Sequence, residues 1–400
     1  MKDQELIEKA ASFVPRLRAE QDEADARGHY SKELHQEFLK AGFYRITQPK
    51  LFGGFEMELT TYYRVMLEIC RGHPGAGWCF GLAGSHAFEV ASHWPEQGQR
   101  ELFAGGDFVC PHRAPPMGTL TPAKGGYLMN GTWDYCSGIP HATHFIGGAW
   151  IRDGGPPRVG HACVAKDKVT MLDDWGGDKT LGMRASGSNG VKVENVFVPE
   201  HHIGFLTPGL GSRLDDPKGT PGTKLHGNPM YLGQLAGPFH VTLIVPAIGA
   251  ARAALDEYEQ VLKTRKTLSV PQIPRFEHFD FQRAFGHALT LADAAEALML
   301  KGCELYHHNC RRWARTGAAA SLEDNMRLWG MLQHAGRMAC EAVELLFQTA
   351  GSAAARRGSK LQRYFNDVAM YRGHSSSQFL AFGSGLARLR WGLPWGMYGL

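Results

Sequence analysis

The spacing of apolar residues divides the chain into three stretches. Up to about residue 104 apolar side chains recur at helical spacing, as in the segment LTTYYRVMLEICRG. From about 105 to 205 short runs alternate polar and apolar residues between glycine-rich turns, which predicts an antiparallel sheet. From about 231 onward four long segments carry an apolar stripe with a period near 3.6, which predicts an antiparallel four-helix bundle. We therefore predict an α+β fold with an N-terminal α-helical domain (1–104), a central antiparallel β-domain plus loop (105–230) and a C-terminal four-helix bundle domain (231–400).

Two local features refine this prediction. Residues 206–230 are rich in Gly, Pro and Asp without periodicity, which indicates a loop. The last bundle helix is predicted to run through LQRYFNDVAMYRGHSSSQFLAFGSGLARL, so that His374 lies within it. The aromatic tail RWGLPWGMYGL would be costly to leave in water, and we expect it to cover a pocket or to pack on a neighbouring subunit.

Composition excludes several classes of protein. The formal net charge of the 400 residues is only +4, and Lys and Arg form no long run, so a nucleic-acid or membrane-surface partner has no support. The charged first residues contain no apolar signal core, and no run of 18 apolar residues occurs, so we expect a cytoplasmic protein. The eight cysteines form no CxxC pair, which is typical of reduced, buried thiols.

Familiar catalytic motifs are absent from the sequence. GHPGAGWCFG follows a helical pattern rather than a strand, so it does not indicate a dinucleotide-binding loop, and no P-loop, HExxH or GxSxG occurs. The pairs His141/His144 and His307/His308 lack a third spaced ligand, and we expect no metal. If the protein carries out redox chemistry with a flavin, the flavin is reduced by the substrate or arrives already reduced.

Three segments resemble the acyl-CoA dehydrogenase fold: GTWDYCSGIPHATHFIGGA (131–149), LGMRASGSNGVKVENVFVPEHHIG (181–204) and LLFQTAGS (345–352). In the first, residues 135–138 fall on the family's Trp-Ile-Thr-Asn, whose Thr lies beside flavin N5. The resemblance therefore implies that Tyr135 and Ser137 contact the flavin. It also implies that Gln348 and Gly351 reach the cofactor of a neighbouring subunit in a homotetramer, and that Arg265 meets the flavin phosphate.

The last helix departs from the dehydrogenase pattern. Acyl-CoA dehydrogenases often carry YEGTxxIQ there, with Glu as the base, whereas this chain reads Tyr371, Arg372, Gly373, His374. Arginine stays protonated and cannot serve as a base at neutral pH. No Asp or Glu occurs between Pro217 and Leu255, where some members place the base instead. Thioester dehydrogenation therefore loses its proton acceptor, although an acyl-CoA dehydrogenase-like flavin oxidoreductase stays an alternative.

A branch of the same fold lacks this base: the oxygenase components of two-component flavin monooxygenases, including p-hydroxyphenylacetate hydroxylase. The resemblance implies that reduced FMN or FAD (FMNH2 or FADH2) arrives from a separate NAD(P)H:flavin reductase and reacts with O2 to a C4a-hydroperoxyflavin, which hydroxylates a small phenol. Ser137 would bond the flavin near N5, and His374 would contact the substrate hydroxyl, with His112 as a third catalytic candidate. Oxygenation at nitrogen, at sulfur or on an indole stays open. We interpret the aromatic residues Trp78, Phe80 and Phe88 as core.

Overall fold

The computed structural model describes residues 2–206, 218–234, 236–318, 320–374 and 377–395. The order of a helical region, a sheet and a helical bundle is confirmed, and with it the predicted fold class. The N-terminal region consists of α1 (Asp3–Ser12), α2 (Val14–Ala19), α3 (Gln21–Arg27), α4 (Lys32–Lys40), α5 (Leu59–Gly72), α6 (Pro74–Gly84), α7 (His86–His93) and α8 (Glu96–Leu102).

Helix α6 is the element on which the site is later built. Pro74 occupies its first turn, where the missing backbone N–H has no intrahelical partner to lose, and every residue of the helix is buried. Two glycines allow α6 to pack closely against α5. A Cβ on Gly77 would lie 2.1 Å from Cys70 Sγ, and one on Gly81 would lie 2.1 Å from the Met66 methyl. The bulky side chains of α6 are thereby held at fixed positions.

Within the described residues the sheet has seven strands, in the order β5-β6-β2-β1-β3-β4-β7. The prediction of a purely antiparallel sheet is wrong in one pairing, because β1 and β3 run parallel, with His112 opposite Ile146. Strand β2 ends at the edge where β1 begins, and the short connection 134–143 starts β3 from that same edge. The strands are β1 (His112–Ala123), β2 (Gly126–Trp133), β3 (His144–Ile151), β4 (Val159–Ala165), β5 (Thr170–Met171), β6 (Val191–Pro199) and β7 (Ile203–Gly204).

The bundle begins at α10, close to the start predicted near residue 231. Within the region predicted as a loop, the described part contains helix α9, and 207–217 lie outside the described residues. Segment Gly237–Thr264 of α10 is long and apolar enough to cross a membrane, but 89% of its most apolar window is buried inside the protein, as in a core helix. The helices are α9 (Pro221–His226), α10 (Ala236–Thr264), α11 (Phe279–Thr316), α12 (Leu322–Ala350), α13 (Lys360–Arg372) and α14 (Phe379–Arg390).

The last predicted helix is two helices, so the prediction that it runs through His374 is wrong. Helix α13 ends at Arg372, and the His374 amide donates to the Tyr371 carbonyl at 2.9 Å in the turn that follows. The Ser377 hydroxyl donates to the Arg372 carbonyl at 2.5 Å. Glycine and serine favour such turns over a helix interior. Glycine loses much backbone entropy in a helix, and the serine hydroxyl bonds backbone groups that would otherwise form helical hydrogen bonds. His374 therefore lies in a turn at one end of the bundle.

The cysteines are buried, as predicted, whereas the expectation that the tail covers a pocket or packs on a neighbouring subunit stays a prediction. All eight cysteines are free and buried. The indole of Trp395 is 3% exposed and packs with Trp329 and Phe382, so the tail covers part of the bundle up to that residue. Residues 396–400 lie outside the described residues.

A charged cluster is buried where the three regions meet. Arg363 Nε of α13 donates to Asp25 Oδ2 of α3 at 2.9 Å, and His73 Nε2 lies 3.2 Å from Asp25 Oδ1. Asp367 accepts a bond from the Met183 amide at 2.6 Å. Burial, reinforced by Asp25, raises the pKa of Asp367 to about 7. The cluster thereby holds segment 181–187 against the end of the bundle.

Candidate active site

Ser137 lies in the turn after β2, and this turn is fixed against α6. Gly138 has φ +92, and a Cβ there would lie 2.6 Å from the Ala83 Cβ and 2.7 Å from the Cys79 carbonyl oxygen. Its amide donates to the Gly187 carbonyl at 2.9 Å, and the Gly187 amide donates to the Gly28 carbonyl at 2.7 Å. Backbone bonds therefore join three distant segments and position Ser137 over α6.

The hydroxyl of Ser137 is part of a buried polar chain. Its Oγ accepts from Trp78 Nε1 at 2.9 Å and lies 2.7 Å from Ser188 Oγ, which in turn lies 2.7 Å from Ser186 Oγ. The bond from the indole fixes Oγ in place, since a buried indole N–H requires an acceptor. The Ser137 proton can then point toward Ser188 or toward a ligand.

Trp78 also joins Ser137 to His374. The rings of Trp78 and His374 meet edge to face with centroids 5.6 Å apart. Burial first, and then the nearby positive charge of Arg113, lower the pKa of His374 to about 4. The imidazole is therefore neutral at neutral pH and can accept a proton. The structure thus brings together two of the residues predicted from the sequence.

Trp78 was not predicted as a site residue, because an aromatic residue on a buried helix is usually core. The signal that could have found it is the need of its indole N–H for a partner, but the identity of that partner depends on the turn after β2. Phe80 and Phe88 are buried in the main hydrophobic core, as predicted.

Arg113 and Tyr135 form the open side of the site. Tyr135 has a backbone φ of +51 and is 56% exposed, and the guanidinium of Arg113 lies 5.9 Å from the centre of its ring. Arg113 Nε donates to Asp134 Oδ1 at 3.0 Å. Arg113 was not predicted from the sequence, since no motif marks it. A flavin ring has apolar faces and a polar edge, and an accessible aromatic ring, a fixed hydroxyl and a guanidinium fit such a group.

His112 has other partners than the sequence hypothesis assumed. Its Nδ1 lies 2.9 and 3.0 Å from the two carboxylate oxygens of Glu89, and its Nε2 lies 2.9 Å from His161 Nδ1. Among the contacts of the described residues, none joins His112 to Ser137 or His374. A substrate contact by His112 stays a prediction, but both ring nitrogens already face protein groups.

The residue predicted to meet the flavin phosphate, Arg265, lies near the two predicted to reach a neighbouring subunit's cofactor, Gln348 and Gly351, at one end of the bundle. Gln348 and Gly351 are exposed, and Gly351 has φ +91. Arg265 follows α10, is exposed, and accepts a backbone bond from Arg275 at 2.9 Å. Arg275 Nη1 donates to the Ala350 carbonyl at 2.8 Å, which places a second cation beside the turn at Gly351. Arg275 was missed from the sequence, because it is distant from Arg265 and follows no motif.

Arg372, which the sequence resemblance aligns with the dehydrogenase base, is paired with a carboxylate. Its Nε lies 2.6 Å from Glu344 Oε1 of α12. Both side chains are partly exposed to solvent, at 41% and 30%. The pair leaves a cation where thioester dehydrogenation needs a proton acceptor.

Two family models match the chain. The description "Acyl-CoA dehydrogenase, N-terminal domain" matches residues 2–104, and "Acyl-CoA dehydrogenase, C-terminal domain" matches residues 241–379. Among curated relatives, a pigment production hydroxylase of Rhodococcus sp. is 27% identical over 93% of this chain and 92% of its own length. The oxygenase component of p-hydroxyphenylacetate 3-hydroxylase from Acinetobacter baumannii is 23% identical over 94% of this chain and 86% of its own.

Solved structures share the fold over the whole chain. The HsaA monooxygenase from M. tuberculosis superimposes with a TM-score of 0.87 at 20% identity and covers 100% of both chains. XiaF from Streptomyces sp., solved in complex with FADH2 and glycerol, also has a TM-score of 0.87, at 21% identity, over 100% of this chain and 98% of its own. At these identities the likeness establishes the fold.

Proposed function

The chain belongs to the acyl-CoA dehydrogenase family, and within it we propose that the protein is the oxygenase component of a two-component flavin-dependent monooxygenase. It hydroxylates a small phenolic substrate with O2 and reduced FMN or FAD. The observation that carries this proposal is the group formed by Ser137, Trp78 and His374, in which a fixed hydroxyl and a neutral imidazole flank one indole. Arg372, which aligns with the dehydrogenase base, is a cation paired to Glu344, and this makes the dehydrogenase alternative less favourable.

The names of the relatives support the same choice. Curated proteins that match most of this chain include an indole-3-acetate monooxygenase of Pseudomonas putida and the oxygenase component of an FADH2-dependent resorcinol hydroxylase of Rhizobium sp.. Together with the p-hydroxyphenylacetate hydroxylase they are monooxygenases that act on aromatic compounds. Phenols recur among them, which favours a phenol over a thioether or an amine.

The residues of this chain bind and orient the reactants. A bound reduced flavin supplies the electrons that reduce O2, so that one oxygen atom enters the substrate and the other leaves as water. Ser137 Oγ, held by Trp78, would donate its proton to a bound flavin, and Ser188 can donate to Ser137 in return. The neutral His374 accepts the proton of the substrate hydroxyl, which raises the electron density of the phenol ring.

The assembly and partners follow from the same proposal. A separate NAD(P)H:flavin reductase delivers the reduced flavin. Arg265, Gln348 and Gly351 are exposed together at the end of the bundle, which suits contact with the cofactor of a neighbouring subunit in a homotetramer. A cytoplasmic location is part of the same proposal.

The function is tested by mixing the protein with reduced FMN, or in parallel FAD, without oxygen, and then adding O2. We expect the absorbance of oxidised flavin to rise only after a lag. A hydroxylated product should form when p-hydroxyphenylacetate or resorcinol is present. Indole and dibenzothiophene serve as comparison substrates and would reveal oxygenation on an indole or at sulfur. Immediate oxidised flavin with stoichiometric peroxide, or bleaching of protein-bound oxidised flavin by acyl-CoA, would contradict the proposal.

Replacing Ser137 by alanine is expected to shorten that lag by roughly 10-fold or more, because one hydrogen bond to an ionised or polar ligand edge is worth about 1.5–3 kcal/mol. The flavin should still bind, since Trp78 and Tyr135 stay in place. The measurement is the rate of oxidised flavin formation after O2 is added. Ser384→Ala on α14 is the control and should leave the lag unchanged, and an unchanged lag in Ser137→Ala would remove the role given to Ser137.

The acid side of the pH profile depends on His374. Its folded pKa of about 4 keeps the imidazole neutral at neutral pH, so hydroxylation is expected to persist until the pH falls toward 4. Burial is the larger cause and Arg113 the second, so Arg113→Gln should raise this pKa and move the acid limb to higher pH. Arg113 is the charged residue that affects the imidazole, and it is itself paired with Asp134, with Arg113 Nη2 2.9 Å from Asp134 Oδ1.

The pH profile of product formation per flavin oxidised checks this prediction. Arg327→Gln, which removes an exposed guanidinium paired to Glu323 on α12, is the matched control and should keep the wild-type profile. An acid limb that does not move in Arg113→Gln would show that a group other than His374 sets it.

A further inference from the structure

A second group of polar side chains is buried between α7 and the sheet. His86 and Glu89 are three residues apart on α7 and therefore share one face of the helix. They meet His112, the first residue of β1, and His161 of β4. His86, Glu89 and His161 are 5%, 4% and 7% exposed, and the side chain of His112 is 5% exposed. The proposed hydroxylation uses none of His86, Glu89 and His161.

The carboxylate of Glu89 faces imidazoles instead of a fixed cation. In the described part of the chain, Glu89 forms ion-pair contacts with His86 and His112 and with no Lys or Arg. An isolated buried carboxylate is costly, and a cation beside it would relieve that cost.

The donor atoms have the spacing of a metal site. His86 Nε2 lies 3.9 Å from Glu89 Oε2, and His112 Nδ1 lies 2.9 Å from Glu89 Oε1. One ligand atom from each of the three residues lies within 4.8 Å of the other two. A tetrahedral ion with bonds of about 2.0 Å keeps its donors roughly 3.3 Å apart, so small side-chain shifts suffice.

Outer hydrogen bonds orient both imidazoles for coordination. His86 Nδ1 lies 2.8 Å from the Cys110 carbonyl and donates to it, which leaves the lone pair of Nε2 facing Glu89. His112 Nε2 lies 2.9 Å from His161 Nδ1, so it can donate there and leave the lone pair of Nδ1 for a ligand. Metal-binding histidines almost always have such a partner on the second nitrogen.

We propose that His86, Glu89 and His112 bind a divalent first-row transition-metal ion, with zinc and ferrous iron as the main candidates. Two imidazoles and one carboxylate suit these ions and do not suit Mg²⁺ or Ca²⁺, which prefer oxygen donors. The ion links α7 to the start of β1 and so fixes the backbone next to Arg113. No spacing in the sequence indicates the site, because its ligands come from separate elements. A bound ion, together with His161, would occupy both ring nitrogens of His112 and so replace the substrate contact predicted for that residue, whereas the roles proposed for Ser137 and His374 do not depend on it.

A surface group provides the internal control. His201 and His202 each place Nε2 2.9 Å from Glu101 Oε2, and these side chains are partly exposed. Exposed histidine pairs bind added metal ions without a biological role. The double variant His201→Gln/His202→Gln removes this group and leaves the buried one unchanged.

The test measures metal content in tag-free protein from cells grown with added zinc, iron or cobalt, before and after dialysis against a chelator. We expect about one ion per chain in the wild type and in His201→Gln/His202→Gln, and its loss in Glu89→Gln. Cobalt-loaded wild type should show visible ligand-field absorption that Glu89→Gln lacks. His161→Gln keeps all three ligands but removes an outer partner, and should weaken binding roughly 10- to 100-fold.

Circular dichroism and melting temperature report whether each variant folds. If Glu89→Gln does not fold, the metal affinity of His161→Gln tests the proposal in its place. Metal that disappears only in His201→Gln/His202→Gln would overturn the proposal. A wild type that binds no ion, or a folded Glu89→Gln that binds as the wild type does, would overturn it as well. These readouts contain no flavin, so they stay decisive whether or not the protein hydroxylates phenols.

Discussion

Replacing His374 by alanine is expected to lower phenol hydroxylation by roughly two to four orders of magnitude, the usual contribution of a positioned general base. Its imidazole is neutral and lies against Trp78, whose indole fixes the Ser137 hydroxyl. Alanine removes the proton acceptor without touching Ser137 or Tyr135. Reduced flavin should therefore still bind and react with O2, and the reducing equivalents should appear as peroxide instead of product.

The measurement is the ratio of product to peroxide for each flavin oxidised. His334→Ala is a matched control, since this histidine is exposed on α12 and, among the described residues, its ring lies against Phe379 at the start of α14, at 5.5 Å between ring centroids. It should keep the wild-type ratio. If His374→Ala also keeps that ratio, the imidazole has no part in activating the substrate.

The second large effect concerns stability. Replacing Arg363 by methionine is expected to lower the free energy of unfolding by about 3–5 kcal/mol, the usual cost of removing one partner of a buried ion pair. Arg363 and Asp25 each have side chains only 12% exposed, and Nε of Arg363 lies 2.9 Å from Asp25 Oδ2. Methionine fills similar space but leaves the Asp25 carboxylate buried with His73 as its remaining partner.

Urea unfolding followed by circular dichroism measures this effect. Arg357→Met is the matched control, because Arg357 pairs with Asp178 on the surface, with side chains 78% and 74% exposed. Exposed pairs contribute about 0–1 kcal/mol, so the control should shift the midpoint little. Equal shifts in the two variants would mean that the buried cluster does not stabilise the junction of the three regions.

The fold was largely predictable because its signals are local. The apolar stripe of α5, with Tyr62, Tyr63 and Met66 all buried, is visible in the sequence. The parallel pairing of β1 with β3 was not predictable, since alternation of polar and apolar residues says nothing about strand direction. The end of α13 at Arg372 could have been predicted from Gly373 and the serine run, but the apolar stripe continues on both sides and concealed it.

The site was predictable only where a motif marks it. Ser137 and His374 were found by resemblance, and the contact between them through Trp78 is a tertiary property. Arg113 lies on a strand whose neighbours are unrelated in sequence, so its charge beside His374 has no local signal. The cluster around Glu89 combines a helix with two strands, which no spacing rule detects.

The backbone hydrogen bonds that join Gly187 to Gly28 and to Gly138 restrict how a flavin could enter and leave the site. They close the N-terminal side of the turn that contains Ser137, and Ala83 and Cys79 close the side facing α6. The ring of Tyr135, in the same turn, is more than half exposed to solvent. A flavin that binds beside Ser137 would contact this exposed ring on arrival and on departure, so we expect substitutions of Tyr135 to change the rate of flavin exchange with the reductase.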